Sequence, residues 1–228
     1  MSHYTSLFFD VDDTLLDFGA AEESALHKLF DDQQIILTPE IKNYYKVMNK
    51  GLWRDFENGK IKRDELVNTR FSKLFKAFGK DVDGVAMEQN YRRFLREGHQ
   101  LVNGASQLLL RLKERFDLYI VTNGVAETQC KRLRDSGLTP FFKQIFVSED
   151  TGYHKPDKRF FDYAFEHIPY FKADQGLIIG DSLISDIQGG SRAGLETCWF
   201  NAKHLNIDLN VKPNYEIHKL DELCTILL

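Results

Sequence analysis

Four aspartates stand in two short stretches, each of which follows an apolar run of this 228-residue chain. Asp10 and Asp12 follow the first run, and Asp181 and Asp186 follow a later one. Carboxylates held close together repel one another unless a cation or a shared proton neutralises them, and their hard oxygen atoms suit Mg²⁺. An Asp-rich stretch can also merely cap a helix or form an Asx turn. The second set favours a cation site at which Asp10, Asp12 and Asp181 converge, with Asp186 supporting it from outside the ligand set.

Two further pieces are suited to a phosphate group. Thr122-Asn123-Gly124 offers a hydroxyl and free backbone N–H groups at a predicted strand end, and donors of this kind bind anions where a helix begins. Lys155, before Pro156, adds one cation. Taken alone, Thr122-Asn123-Gly124 is typical of an ordinary turn, and a lone lysine such as Lys155 is usually solvated. Together with the aspartates they predict that Thr122 and Lys155 face the carboxylates across a gap the size of a phosphate.

The elements that must position these residues are short, buried strands. Five apolar runs, each ending in a small or polar residue, predict strands over 6–10, 118–122, 144–148, 177–180 and 197–201, and a further edge strand is predicted over 215–217. Segments with apolar residues at helical spacing lie between the later runs, for example 128–138, 159–167 and 183–193. Strands that alternate with helices predict a parallel sheet with helices on both faces.

One interval breaks this alternation. About a hundred residues separate the first strand from the second, which is too long for one ordinary crossover. Helical spacing over 21–30, 39–56, 63–78 and 87–95 predicts a bundle, in which Thr38 and Pro39 would begin the second helix. Seven of the aromatic residues of this interval are expected to form mostly bundle core: Tyr44, Tyr45, Trp53, Phe56, Phe71, Phe75 and Phe78. We therefore predict an α/β core over 1–16 and 99–228 with a helical cap over 17–98.

Composition excludes several classes of function. Thirty Lys and Arg against 34 Asp and Glu leave a net charge of −4, which gives no electrostatic case for a nucleic-acid polymer or an anionic membrane as partner. No apolar run is long enough to span a membrane, and no export signal is visible. Three widely separated cysteines predict neither a disulfide framework nor a thiolate metal site. We expect a cytoplasmic protein.

Four motifs follow one another along the chain: Asp10 to Leu15, Thr122-Asn123-Gly124, Lys155-Pro156, and Gly180-Asp181-Ser182 with Asp186. In this order they resemble the motifs of the haloacid dehalogenase (HAD) superfamily of phosphohydrolases, whose members combine a Rossmann-like core with an inserted helical cap. The resemblance implies that Asp10 is the nucleophile that becomes an aspartyl phosphate. It implies that Asp12 is the general acid for the leaving oxygen and then the base that activates water. Mg²⁺ would be held by the Asp10 and Asp181 carboxylates and by the Asp12 backbone carbonyl.

The resemblance also assigns the phosphate contacts. Thr122 and the Asn123 amide would hold the transferred phosphoryl group, and Lys155 would offset its charge. In the dehalogenase branch of the superfamily the position of Asp12 is not acidic, so Asp12 favours a phosphatase. The cap would close over the site and exclude water.

The expected substrate is a small phosphorylated metabolite. A narrower likeness to the YjjG/YfnB-like group, based on the Leu52-Trp-Arg54 stretch and the setting of Lys155, makes a pyrimidine nucleoside 5′-monophosphate the sharper hypothesis. A sugar-phosphate phosphatase or phosphomutase and a phospho-accepting signalling module remain alternatives, and a silent binding protein is disfavoured because every acidic position is filled. The oligomeric expectation is a monomer or homodimer.

Overall fold

The structure is a computed structural model that describes residues 3–206 and 211–228. Six parallel strands form one sheet, in the order β3-β2-β1-β4-β5-β6. The strands are β1 (Ser6–Phe9), β2 (Asp117–Thr122), β3 (Gln144–Val147), β4 (Gly176–Gly180), β5 (Glu196–Phe200) and β6 (Tyr215–Ile217). Each lies within a residue or so of its predicted position, and the predicted α/β class with a parallel sheet is confirmed.

Ten α-helices accompany these strands in the described residues. They are α1 (Phe18–Asp32), α2 (Pro39–Glu57), α3 (Arg63–Ala77), α4 (Gly84–Leu95), α5 (Ala105–Leu112), α6 (Ala126–Asp135), α7 (Ser148–Thr151), α8 (Lys158–Glu166), α9 (Gly189–Arg192) and α10 (Leu223–Leu227). The predicted helix over 183–193 is split: a π-helical turn, Leu183–Gln188, precedes α9.

Strand β1 lies at the centre of the sheet because it is apolar on both faces. Phe8 points into one buried cluster with residues of α8, and Phe9 points into another with residues of α5 and α10. Phe9 is in register with Ile120 of β2 on one side and with Ile179 of β4 on the other. The strand order reverses between β1 and β4, and ligands of open α/β sheets bind beyond the carboxyl ends of the strands at such a point.

Helices α1 to α4 form the segment inserted between β1 and α5. Thr38 Oγ1 accepts the Ile41 N–H at 3.3 Å and Pro39 occupies the first turn, so the predicted start of α2 is confirmed. Four of the seven aromatic residues are buried, as expected for bundle core: Tyr45, Phe56, Phe71 and Phe75.

The described residues divide into two compact units. One takes in the described part of Met1–Phe18 with His99–Leu228, and the other is Gly19–Gly98. The first holds the sheet and the second holds nearly all of α1 together with α2 to α4. Within the described ranges, no helix has the length and apolar character that crossing a membrane requires.

Candidate functional site

Asp10 stands immediately beyond the carboxyl end of β1. Its backbone N–H donates to the Ile179 carbonyl at 3.0 Å, which continues the pairing with β4 one residue past the strand. The residue is almost completely buried. Because a central strand is held on both sides, the position of the Asp10 carboxylate is fixed by the sheet rather than by a loop.

The ammonium group of Lys155 is buried against Asp10. Lys155 Nζ donates to Asp10 Oδ1 at 2.8 Å, to Asp186 Oδ1 at 2.6 Å and to the Val121 carbonyl at 2.7 Å. An ammonium has three N–H groups, so these contacts engage all of them. Lys155 therefore contacts Asp10 directly and does not face it across a gap.

The side chain of Asn123 holds the backbone of Lys155. Asn123 Oδ1 accepts the Lys155 N–H at 2.9 Å, and Asn123 Nδ2 donates to the Lys155 carbonyl at 2.8 Å. The sequence-based prediction placed an Asn123 amide on the phosphoryl group. The side-chain amide therefore holds the Lys155 segment, and a contact of Asn123 with a phosphoryl group stays a prediction.

Asp181 and Asp186 approach Asp10 from β4 and the π-helical turn. Oxygen atoms of the three carboxylates all lie within 4.8 Å of one another. Asp186 Oδ2 also accepts the Ser182 N–H at 3.0 Å. A Cβ atom on Gly180 would lie 2.2 Å from Asp186 Oδ2, so the glycine leaves the room that the carboxylate occupies. The sequence spacing made Asp186 seem more distant than it is.

The charges of this cluster do not balance, since three carboxylates surround one ammonium. Burial raises the pKa of Asp10 to about 7, against the opposing effect of Lys155. Loss of surrounding water, followed by the charges of Asp10 and Asp186, raises the pKa of Asp181 well above its ordinary value. Burial alone would lower the pKa of Lys155, yet the two facing carboxylates raise it. An oxygen-only donor set with excess negative charge fits a hard divalent cation such as Mg²⁺.

Thr122 lies at the end of β2 with its hydroxyl buried. Thr122 Oγ1 accepts the Gly124 N–H at 3.1 Å and the Gln129 side-chain N–H at 3.0 Å. With both of its lone pairs used, the hydroxyl has its single hydrogen to donate. A phosphate oxygen is a hydrogen-bond acceptor, so it requires a donor of this kind.

The Asp12 carboxylate turns toward α6 rather than joining the other three. Asp12 Oδ2 accepts from Gln129 Nε2 at 2.8 Å, and Asp12 Oδ1 accepts a hydrogen bond from Arg132. The predicted convergence of side chains therefore holds for Asp10 and Asp181, and Asp186 joins them, while Asp12 is held by partners of its own.

Sequence reasoning missed Gln129 and Arg132. It treated the helix around them as a sheet-covering element with apolar residues at helical spacing. The signal was available: Gln129, Arg132 and Leu133 share one face of α6, because residues three and four apart lie side by side. Two polar residues beside a buried leucine on a helix that covers a sheet indicate a polar partner beneath it.

Comparison with known proteins gives one consistent family. Residues 7–200 match the family described as haloacid dehalogenase-like hydrolase. The HAD-hydrolase YfnB of Bacillus subtilis is 60% identical over 227 residues, covering 100% of this chain and 97% of that protein. Its crystal structure, described as bound to magnesium and as revealing interdomain movement, superposes with a TM-score of 0.95 at 61% identity over 98% of each chain.

Two further relatives have names that state a substrate. Pyrimidine 5′-nucleotidase PynA of Streptococcus pneumoniae is 44% identical over 225 residues, covering 98% of this chain and 95% of that protein. Pyrimidine 5′-nucleotidase YjjG of Escherichia coli is 33% identical over 221 residues, covering 97% and 96% respectively.

Proposed function

The chain belongs to the haloacid dehalogenase-like hydrolase family, and on that premise we propose that it is a Mg²⁺-dependent phosphomonoesterase that works through an aspartyl phosphate at Asp10. The observation that carries the proposal is a pair of carboxyl groups in different settings at the end of β1. Asp10 is buried against Lys155, while the Asp12 side chain is 30% exposed. Asp10, held against an ammonium group, is placed to act as the nucleophile, and the partly exposed Asp12 side chain is placed to exchange a proton with the leaving oxygen.

In the first step the Asp10 carboxylate attacks phosphorus. A bond forms from Asp10 to phosphorus while the bond from phosphorus to the ester oxygen breaks, and that oxygen takes a proton from Asp12. Lys155 lies 2.8 Å from Asp10 and reduces the repulsion between the carboxylate and the negatively charged ester. The Thr122 hydroxyl donates to a phosphoryl oxygen, and positioning of this kind provides most of the catalysis in phosphoryl transfer.

In the second step water replaces Asp10. The Asp12 carboxylate takes a proton from the water, whose oxygen bonds to phosphorus as the bond to Asp10 breaks. Inorganic phosphate leaves, and Asp10 returns as a carboxylate while Asp12 is again protonated. Asp186, through its 2.6 Å contact with Lys155, holds the ammonium in place during both steps.

Three oxygen donors would hold Mg²⁺: the Asp10 and Asp181 carboxylates and the Asp12 backbone carbonyl. The fit is supported by the carboxylate oxygens within 4.8 Å of one another and by the burial that, more than the neighbouring acids, raises the pKa values of Asp10 and Asp181. When bound, the ion supplies positive charge between the nucleophile and the phosphate.

The substrate we propose is a pyrimidine nucleoside 5′-monophosphate. Two relatives with pyrimidine 5′-nucleotidase names, at 44% and 33% identity over nearly the whole chain, support it. A panel of pyrimidine and purine nucleoside monophosphates, sugar phosphates and triose phosphates tests this choice directly.

The experiment measures inorganic phosphate released by the purified protein with Mg²⁺ and with EDTA. We expect release from pyrimidine nucleoside monophosphates, loss of release in EDTA and recovery with added Mg²⁺. Asp10→Asn should abolish release, whereas Asp162→Asn, which removes a carboxylate from the surface of α8, should not change it. Undiminished turnover by Asp10→Asn, or no phosphate from any ester, would overturn the proposal.

A further inference from the structure

Helix α6 presents two polar side chains to the site, one turn apart. Gln129 and Arg132 are each only 1% exposed. A buried guanidinium is costly unless it is paired and hydrogen-bonded, so Arg132 requires an acidic partner at this position. The partner they share is Asp12.

Hydrogen bonds join each of the three side chains to the other two. Gln129 Nε2 donates to Asp12 Oδ2 at 2.8 Å, and Arg132 donates to Asp12 Oδ1. Arg132 Nη1 also donates to Gln129 Oε1 at 2.9 Å, which fixes the amide so that its N–H groups face Asp12 and Thr122. Each oxygen of the Asp12 carboxyl is therefore held by one donor.

These donors decide where a proton on Asp12 can be. Guanidinium groups have no acceptor, and the Gln129 acceptor oxygen is already bonded to Arg132. A proton on Asp12 must therefore sit on a carboxyl edge that neither residue covers. The Asp12 side chain is 30% exposed, so these two donors do not enclose it completely.

Gly124 provides the space in which Gln129 lies. A Cβ atom on residue 124 would come within 2.5 Å of three atoms of the Gln129 side chain, so any other residue there must push the amide away. Gly124 is thus connected to Asp12 through Gln129, although Gly124 follows strand β2 and Asp12 follows strand β1.

We propose that Gln129 and Arg132 are positioning residues that aim the Asp12 carboxyl at the leaving oxygen, and that Gly124 admits them. This inference rests on the proposed function, because it assigns Asp12 the proton transfer. It predicts that disturbing the pair slows formation of the aspartyl phosphate, the part of the reaction that kcat/KM reports, only for esters whose leaving oxygen needs a proton.

The test compares two esters. A nucleoside 5′-monophosphate needs a proton on its leaving oxygen, whereas p-nitrophenyl phosphate releases a stable nitrophenolate without one. We expect Arg132→Met to lower kcat/KM by about 10²-fold for the nucleotide and by less than about tenfold for the aryl ester. In an Asp12→Asn background the same change should have no further effect, since the group being aimed is gone.

Controls separate positioning from folding. Arg134→Met, on the exposed side of α6, should behave as wild type, and Arg132→Lys should recover part of the loss. Should Arg132→Met fail to fold by circular dichroism, Gly124→Ala carries the same comparison with every charge retained.

Two results would overturn the inference while leaving the phosphatase intact: equal losses for both esters, or a full additional loss in the Asp12→Asn background. A wild-type protein that hydrolyses neither ester would instead remove the proposed function itself.

Discussion

Two buried clusters of charged side chains, one in each unit of the molecule, differ in how their charges balance. In the unit with the sheet, three carboxylates surround the single ammonium of Lys155. In the helical unit, the charged members are two acids and two arginines, joined by one asparagine: Glu22, Asn49, Arg70, Glu88 and Arg92.

The cluster of the helical unit satisfies its charges internally. Arg70 donates from two nitrogens to the two oxygens of Glu88, both at 2.7 Å, and Arg92 donates to the same carboxylate at 2.7 Å. Asn49 bridges Arg70 to Glu22. The set links all four helices, α1 to α4, with one side chain or more from each.

The difference separates a structural cluster from a functional one. A buried set whose charges are matched fixes the packing of its helices and costs much when one partner is removed. A buried set with excess charge destabilises the fold and raises the pKa of its carboxyls, which marks a candidate site for a ligand of opposite charge. The predictions below test this distinction, beginning with the largest effect.

Removing the nucleophile should separate activity from stability. We expect Asp10→Asn to lower kcat by about 10⁴-fold or more, the scale seen when a nucleophile is removed from its site. The fold should survive, because the change removes one of three like charges. Phosphate release and circular dichroism on the same preparation check this, and substantial residual turnover would contradict it.

Removing a partner from the charge-balanced cluster of the helical unit should lower the stability of the protein. We expect Arg70→Met to lower the free energy of unfolding by about 3–5 kcal/mol, because it leaves a buried carboxylate short of a partner. Urea denaturation measures the change. Arg93→Met, at a half-exposed arginine of the same helical unit, is the matched control, with an expected change within about 0.5 kcal/mol.

In the double variant Arg70→Met/Glu88→Gln the acid that lost its partner is neutral, so part of the stability should return. If Arg70→Met were as mild as Arg93→Met, the helical cluster would not hold its unit together and the comparison would fail.

Neutralising one acid of the unbalanced cluster should stabilise the protein. In EDTA we expect Asp181→Asn to raise Tm by about 2–4 °C, the shift that ~1 kcal/mol produces in a chain of this size. The same variant should lose the increase in Tm that Mg²⁺ gives the wild type. A lower Tm in EDTA would show that Asp181 stabilises the metal-free fold, contrary to the charge count.

The smallest effect concerns pH. Asp10, with its pKa raised to about 7, binds a proton below that pH, and a metal needs the carboxylate. The folded state holds this proton over a range in which an unfolded aspartate has lost it, so metal-free stability falls as pH rises from about 4 toward 7. The increase in Tm given by Mg²⁺ should accordingly be larger at about pH 8 than at about pH 6. Equal increases would argue against Asp10 as a ligand.

Much of this architecture was accessible from sequence because it depends on patterns along the chain. Short apolar runs located five of the six strands in the described residues, and the runs that lead into Asp10 and Asp181 placed those two carboxylates at the sheet edge. The helical interval between β1 and β2 was likewise evident from its length and spacing.

What sequence could not supply is the direction of individual side chains. Asp186 joins Asp10 and Asp181 because a π-helical turn and Gly180 bring it inward, and helical spacing alone does not predict that turn. Arg132 and Arg70 are buried through partners more than fifteen residues away. Such pairings depend on tertiary packing, which overrides the usual expectation that arginine is exposed.

The most direct measurement uses Asp12→Asn with p-nitrophenyl phosphate. The first step should proceed, because nitrophenolate leaves without a proton, while the second should stall without its base. We predict a rapid release of one nitrophenolate per chain, followed by slow turnover, and one phosphoryl group on the peptide containing Asp10 in the acid-quenched protein. A steady rate with no initial release, or a phosphoryl group on any other residue, would contradict the mechanism.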